Sequence, residues 1–502
     1  MSEHIRAYYN QHPLRTILFA GLFARIIAAL FSHGYGFSDD HFLVVEVAQQ
    51  WVDGVDYKGW MPWNGNTTAS GHSLFYPGMH YLLFKLLAGI GIYDAVVKMY
   101  IVRLLHALYS MSVVYYGYRI TKKLSGVEIA NTVGWILALF WFIPMMSIRN
   151  MVEMVCIPPL VYATWLLIKA DDRKSYAGFI LAGIMAGIAF SFRFQTIMFI
   201  GGMGLAIWMR QQWKEGILFG IGAALSILLI QGGIDMVVWG RPFAEFSEYS
   251  KYNIENAYNY INGPWYNYLL LVAGLMIPPV SIFIFFGMYR VRKQYLWVII
   301  PALCFFIFHS YFPNKQERFI LPVIPFFVMA GIAGWTAFSE RSAYWKKHPG
   351  LLQACWTFFW IVNTFLLVLL TPSSTKISRV DAMTYISEKT GITQYMIEST
   401  NTWNAVMMPL FYAESWKQPY EVAGEYPAQV VFDSIHKYNL PMPEYIIFAE
   451  EKNIDDRVAQ MKQYVKGLTF EKEIGSSLLD RTMHVLNPVN VNQTYYIYKV
   501  EQ

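Results

Sequence analysis

Between residues 14 and 370 the chain repeats apolar runs of about 17 to 25 residues, each long enough to cross hydrocarbon as a helix. Only 15% of the 502 residues are charged and 55% are hydrophobic, whereas an ordinary soluble domain is about 25% charged. A soluble protein and a single-anchor protein are both excluded, and a multi-pass membrane protein is implied. The first run ends at Phe31-Ser32 without a small-x-small cleavage pattern, so the first helix is expected to stay in the mature chain. The three cysteines, Cys156, Cys304 and Cys355, lie inside apolar runs, which offers neither a disulfide framework nor zinc spacing.

Periodicity places eleven spans at roughly 15–32, 98–119, 127–145, 151–169, 176–192, 194–209, 216–238, 266–289, 295–311, 319–338 and 351–370. Starting from a cytoplasmic N-terminus, the basic clusters at 119–123, 169–174, 210–214, 290–293 and 341–347 all fall on the cytoplasmic side. One further apolar run, 74–92, contains His80 and Lys85. Counting it as a span would put Arg119, Lys122 and Lys123 outside, so it is expected to be an interfacial or re-entrant helix.

The net charge of +5 belongs to the membrane part, because residues 376–502 hold 12 Lys and Arg against 16 Asp and Glu. Membrane orientation accounts for it, and nucleic-acid binding has no support. After Pro372 the pattern changes: strands are expected at 444–448, 468–473 and 494–498 and a helix at 453–466. The expected organisation is a transmembrane catalytic domain, 1–372, whose outer loop 33–74 carries interfacial helices, followed by a small extracytoplasmic α/β domain, 373–502.

The opposite, outer loops carry acids, single arginines and aromatics. Asp39 and Asp40 follow the first span and open an amphipathic run, 40–52. Ser38-Asp39 suits a helix N-cap. A carboxylate fixed at a membrane surface can also take the proton of a hydroxyl as it attacks an activated carbon. The turn Asn314-Lys315-Gln316-Glu317-Arg318 sets two cations on the face where the charge rule expects few. Membrane anchoring is one use for them; neutralising a phosphate is the other.

The segment from His309-Ser310 through Lys315-Gln316-Glu317-Arg318-Phe319 to Pro322-Val323-Ile324-Pro325 resembles the His-Lys-Glu-x-Arg-Phe signature of the lumenal mannosyltransferases that build GPI anchors and dolichol-linked oligosaccharides, in the GT-C class. Four other places are similar to that family, in order along the chain. They are Ser38-Asp39-Asp40-His41-Phe42 against its Pro-Asp-Glu-x-x-Gln motif (closest to the GPI branch), Arg149-Asn150-Met151-Val152-Glu153, Phe192-Arg193-Phe194-Gln195, and the outer-loop run 251–268 with Trp265 and Tyr266. Two departures stand out: Asn314 where the family has His, and Gln316 where it has Glu.

The resemblance implies a helical integral membrane protein of GT-C type. Its activity would be inverting transfer of a sugar, mannose by family, from a polyprenyl phosphate to a glycan or glycolipid hydroxyl on the extracytoplasmic face. Asp39 would be the general base, with Asp40 beside it. Lys315, Arg318 and Arg193 would hold the donor phosphate, supported by Asn314, Gln316, Glu317, Arg149, Asn150, Glu153 and Trp265. No metal or cofactor is expected; the partners are the bilayer, the lipid-linked donor and the acceptor. The alternatives are a transporter or flippase of lipid-linked glycans and transfer of another hexose or pentose. The outward face of a bacterial plasma membrane is the expected location, with the endoplasmic reticulum membrane as the alternative.

Overall fold

The computed structural model describes residues 8–57, 59–389, 391–487 and 494–501. Their helices fall on the eleven expected spans. Six are long and apolar enough to cross a membrane: Pro13–Phe31, Ala95–Ser125, Val152–Arg173, Trp213–Trp239, Glu317–Ser339 and Pro349–Leu370. Shorter apolar helices fill four more positions, at Val127–Leu139, Tyr176–Phe192, Phe194–Met209 and Leu296–Tyr311. The eleventh is a broken pair, Asn267–Leu275 and Val280–Arg290, bent by 114°. Pro278 and Pro279 sit at that break, and neither can donate the backbone hydrogen bond a continuous helix needs there. The run 74–92 forms a separate helix, Phe75–Gly89.

The chain packs as two compact units. The first joins Met1–Ala29, Lys58–His80 and Val102–Thr371, and so holds most of the apolar helices. They approach through small residues, as expected where lipid removes the hydrophobic drive between helices. A Cβ on Gly183 would lie 2.1 Å from the Phe219 carbonyl oxygen, and one on Gly334 would lie 1.9 Å from that of Gly287. Two helices begin with a tighter 3₁₀ turn, Phe194–Thr196 and Glu317–Val323, directly after Arg193 and around Arg318.

The second unit joins Leu30–Tyr57, Tyr81–Ile101 and Pro372–Gln502. Residues 33–57 of the loop expected over 33–74 thus pack with the C-terminal region. Its centre is a five-stranded sheet, with β1 at Tyr395–Ser399, β2 at Tyr420–Ala423, β3 at Tyr445–Ala449, β4 at Leu468–Ile474 and β5 at Tyr495–Val500. The order is β2-β1-β3-β5-β4; β1 is parallel to β2 and β3, while β5 is antiparallel to β3 and β4. Helices Ala428–Lys437 and Ile454–Met461 cover one face, burying Phe432, Ile435, Val458 and Met461 against Met396, Val422, Ile446 and Phe448. Three strands and the helix starting near 453 match the expectation. β1 and β2 are additions to it, as are the helices Ile377–Ser387, Ala428–Lys437 and Leu478–Leu486.

Within this unit, residues 32–36 zip along 373–376. Ser32 Oγ donates to the Ser373 carbonyl at 2.6 Å, Thr375 N to the His33 carbonyl at 3.1 Å and Thr375 Oγ1 to the Tyr35 carbonyl at 2.7 Å. Lys376 Nζ reaches the Gly36 carbonyl, and its own N–H donates to Asp480. The zipper ends immediately before Phe37, where the acid-bearing helix begins.

Candidate functional site

Asp39 and Asp40 lie in the first turn of a helical run, Ser38–Asp40, that continues through a π turn, His41–Val45, into Glu46–Val52. The N-cap is Phe37, with no side-chain cap bond, so the expected Ser-Asp cap gives way to two acids inside the first turn. There the helix dipole favours negative charge. Asp39 is exposed and Asp40 buried. The amphipathic pattern expected over 40–52 is also corrected: residues 44–50 are buried without a break. His41 stacks between Tyr35 and Tyr412, with ring centroids at 4.6 and 5.6 Å, and its Nε2 lies 3.8 Å from Glu46 Oε1. Glu46 also accepts the Phe411 N–H at 3.2 Å. A π turn breaks regular helix pairing and is often kept where side chains must be aimed.

The first unit gathers the cations. Buried Glu153 is shared by two guanidinium groups, with Arg193 Nη1 at 3.5 Å and Arg318 Nε at 3.7 Å from the same Oε1. Each arginine is oriented by an amide two residues away in its own turn: Arg193 Nε donates to Gln195 at 2.7 Å, and Arg318 Nε to Gln316 at 2.9 Å. Phe319 lies under both, 5.2 Å from Arg193 and 5.8 Å from Arg318, and Phe305 flanks Arg193. One carboxylate against two guanidiniums leaves the cluster net positive in an apolar, aromatic shell. Both Nη atoms of Arg193 and Oε2 of Glu153 are buried and make no hydrogen bond among the described residues. Buried donors left in that state are costly unless a ligand or water completes them.

Lys315 sits differently. Its ammonium donates to the carbonyls of His309 and Ser310, both at 2.7 Å, and to that of Phe312. These carbonyls belong to the end of the helix Leu296–Tyr311, where a cation suits the dipole. Burial pushes the Lys315 ammonium down from its ordinary value. The turn is held further by Lys315 N to the Ile261 carbonyl at 2.8 Å and by the Tyr268 hydroxyl, which bonds both the N–H and the carbonyl of Gln316. Asn314 is buried, Glu317 is exposed, and Trp265 is exposed with its ring stacked 6.5 Å from Tyr311.

A third group joins the Arg149-Asn150 turn to the helix Phe75–Gly89. Asn150 Nδ2 lies 2.7 Å from His80 Nε2, while His80 Nδ1 lies 3.1 Å from the Tyr76 carbonyl. The backbone bond fixes the tautomer with the proton on Nδ1, so Nε2 accepts from Asn150. His106 repeats the pattern, bonding the Val102 carbonyl through Nδ1 and the Tyr76 hydroxyl through Nε2. Nothing in the sequence spacing of these residues announces the pairing. The segment at Ser70 and Gly71 is anchored by buried Glu245, which accepts from Ser70 Oγ at 2.8 Å, Gly71 N at 2.7 Å and Trp239 Nε1 at 2.8 Å.

The fold has known counterparts. Two solved structures of ArnT from Cupriavidus metallidurans, bound to undecaprenyl phosphate and in the apo state, match with TM-scores of 0.55 and 0.58 at 13% and 14% identity. They cover 96% and 97% of this chain and 97% and 98% of theirs. The oligosaccharyltransferase of Archaeoglobus fulgidus matches at 0.53 and 12% identity, over 89% of this chain and 69% of its own. At such identities the likeness is one of fold, and that fold is GT-C. Among curated proteins, the Dol-P-Man:Man(7)GlcNAc(2)-PP-Dol alpha-1,6-mannosyltransferase of Arabidopsis thaliana is 25% identical over 197 residues, 37% of each chain. The family model matches residues 16–412, which include the acid pair, Glu153 and both arginines, and the chain belongs to the Alg9-like mannosyltransferase family of multi-pass membrane proteins.

Proposed function

We propose that the chain is an inverting glycosyltransferase that moves a sugar, mannose by family, from a polyprenyl-phosphate donor to a glycan or glycolipid hydroxyl on the extracytoplasmic side. The observation that carries this reading is the net-positive cluster of Arg193, Arg318 and Glu153, in which the buried Nη atoms of Arg193 make no hydrogen bond among the described residues although Nη1 is ion-paired with Glu153. Such a cluster suits a phosphate. The dolichol-phosphate-mannose donor in the plant relative's name and the undecaprenyl phosphate in one ArnT structure support a lipid-linked phosphate in particular.

In the proposed step, Asp39 takes the acceptor proton as the hydroxyl oxygen attacks the anomeric carbon. The bond from that carbon to the phosphate oxygen breaks, and Arg193 and Arg318 stabilise the charge that develops on the departing phosphate. Asp40 keeps the first helical turn acidic beside the base. Lys315 is committed to three carbonyls and joins the phosphate only by giving one up. No metal, nucleotide or other cofactor enters the step.

The family and the plant relative lend no support to a bacterial plasma membrane and favour the endoplasmic reticulum alternative. The test is purified protein with a panel of polyprenyl-phosphate sugars and membrane acceptors, wild type against Asp39→Asn. Transfer is expected to fall by about 10² to 10⁴-fold in the variant. Equal rates would remove Asp39 as the base, and movement of glycolipid between leaflets without consumption of donor would favour a flippase.

A further inference from the structure

The sheet of the second unit carries an exposed aromatic group at the edge where open α/β sheets bind ligands. From β1 the chain turns toward β2, and from β3 it turns the other way toward β4. The carboxyl ends of β1 and β3 therefore flank a topological switch point, the usual ligand crevice of such sheets.

The three loops at that edge are tied together. Asn401 Nδ2 donates to the Lys452 carbonyl at 2.9 Å, joining the loops after β1 and β3. Gly424 N and Glu425 N donate to the carbonyls of Thr402 and Trp403, both at 2.9 Å, joining the loops after β1 and β2. Beneath them, buried Arg457 pairs with Glu398 of β1 and donates to the Ala449, Glu450 and Lys452 carbonyls at 2.7, 3.0 and 3.1 Å. Glu450 and Asn453 both hold left-handed φ values, +72° and +53°, in the loop after β3. Non-glycine residues in that region are concentrated at functional sites.

On this rigid base the Trp403 side chain is 72% exposed, with Tyr426 half exposed on the neighbouring loop. A Cβ on Gly424 would stand 3.3 Å from Trp403 Cε3, so the absent side chain leaves room beside the indole. Asn401, Asn404, Glu425 and Lys452 are exposed on the same loops. A bilayer or a stable protein partner calls for contiguous apolar surface around such a ring. A sugar instead presents a CH-rich face to stack and a rim of hydroxyls to bond, which an exposed indole among amides and a carboxylate can satisfy.

We propose that this edge is a carbohydrate-binding site in which Trp403 stacks on a pyranose ring of the acceptor glycan, while Asn401, Asn404 and Glu425 bond its hydroxyls. The proposal rests on the reading that the acceptor is a glycan. It adds a subsite outside the acid pair and the cation cluster, and it gives the C-terminal sheet a role.

The test is calorimetric titration of the full-length protein in nanodiscs with free mannobiose through mannopentaose and no donor present. Wild type is expected to bind. Trp403→Ala should bind about tenfold more weakly, equivalent to about 1.4 kcal/mol, with Trp403→Phe partly restored and both variants unfolding at the wild-type temperature. No binding by wild type, or equal affinity in Trp403→Ala, overturns the proposal. A spin label on Trp403→Cys that is more accessible to oxygen than to an aqueous nickel chelate also overturns it, because the bilayer then covers the ring. Since no donor is present, failure of the transfer reaction leaves the binding result standing. Conversely, active transfer with no glycan binding sinks this site alone.

Discussion

Gly34 lies so close to Thr375 that a Cβ on Gly34 would stand 1.7 Å from the Thr375 carbonyl oxygen, and Gly34 has a left-handed φ of +77°. The contact closes the zipper between 32–36 and 373–376, directly before the helix that carries Asp39 and Asp40. Gly34→Ala must therefore spread the zipper as well as strain the backbone. Gly54, with a φ of +73° and nothing within 4 Å of its Cβ position, supplies the control. Gly54→Ala should cost about 1 to 2 kcal/mol through φ alone. Gly34→Ala should cost more and also slow transfer. Thermal unfolding in detergent with a transfer assay checks both, and equal behaviour of the two variants would deny the zipper any part in holding the acids.

Arg193→Lys keeps the positive charge beside Glu153 but loses the planar fork and the bond to Gln195. The variant should fold, because Glu153 keeps a cation. Its kcat/KM should drop about a hundredfold, the scale of one lost donor to a developing anion. Kinetics with the lipid-linked donor, alongside a melting curve, tests this. A variant that transfers at the wild-type rate would take the phosphate off Arg193.

Much of this was legible in the sequence, and the reasons for the rest are physical. Apolar runs at membrane length marked the eleven helices. β3 and β5 were readable from dense aromatic and β-branched residues; β1 was not, because its Glu398 reads as a surface residue until Arg457 is seen beside it. Arg193 and Arg318 were marked by family motifs. Their sharing of Glu153, in a third and separate turn, is tertiary and has no local signal. The same holds for Asn150 with His80 and for Gly34 with Thr375, whose partners lie 70 and 341 positions away in sequence.

Lys315 distinguishes structural use from donor binding. Lys315→Met removes the donor to three carbonyls near the end of the helix Leu296–Tyr311, so it should lower stability by about 2 kcal/mol or more. Transfer should fall with it, because Gln316 and Arg318 follow in the same turn. A variant that keeps the wild-type melting temperature and loses only transfer would return Lys315 to the donor phosphate.

His80 sets a pH dependence. Burial, with neighbouring His106 next in weight, pushes the His80 imidazolium down to about 3 from an ordinary 6.5. The folded protein therefore binds this proton less readily than the unfolded chain. Stability from the neutral ring is fully present above about pH 6.5 and is lost as pH falls from there toward 3. Protonation also forces a hydrogen onto Nε2, which turns the acceptor of the Asn150 amide into a second donor and breaks the tie between the Arg149-Asn150 turn and the helix Phe75–Gly89. His80→Gln, unable to take up that charge, should be less stable than wild type at pH 8 and should lose less of its stability on going to pH 5. Melting temperatures of both proteins across that range decide it: parallel curves would mean that His80 does not carry the acid sensitivity of this unit.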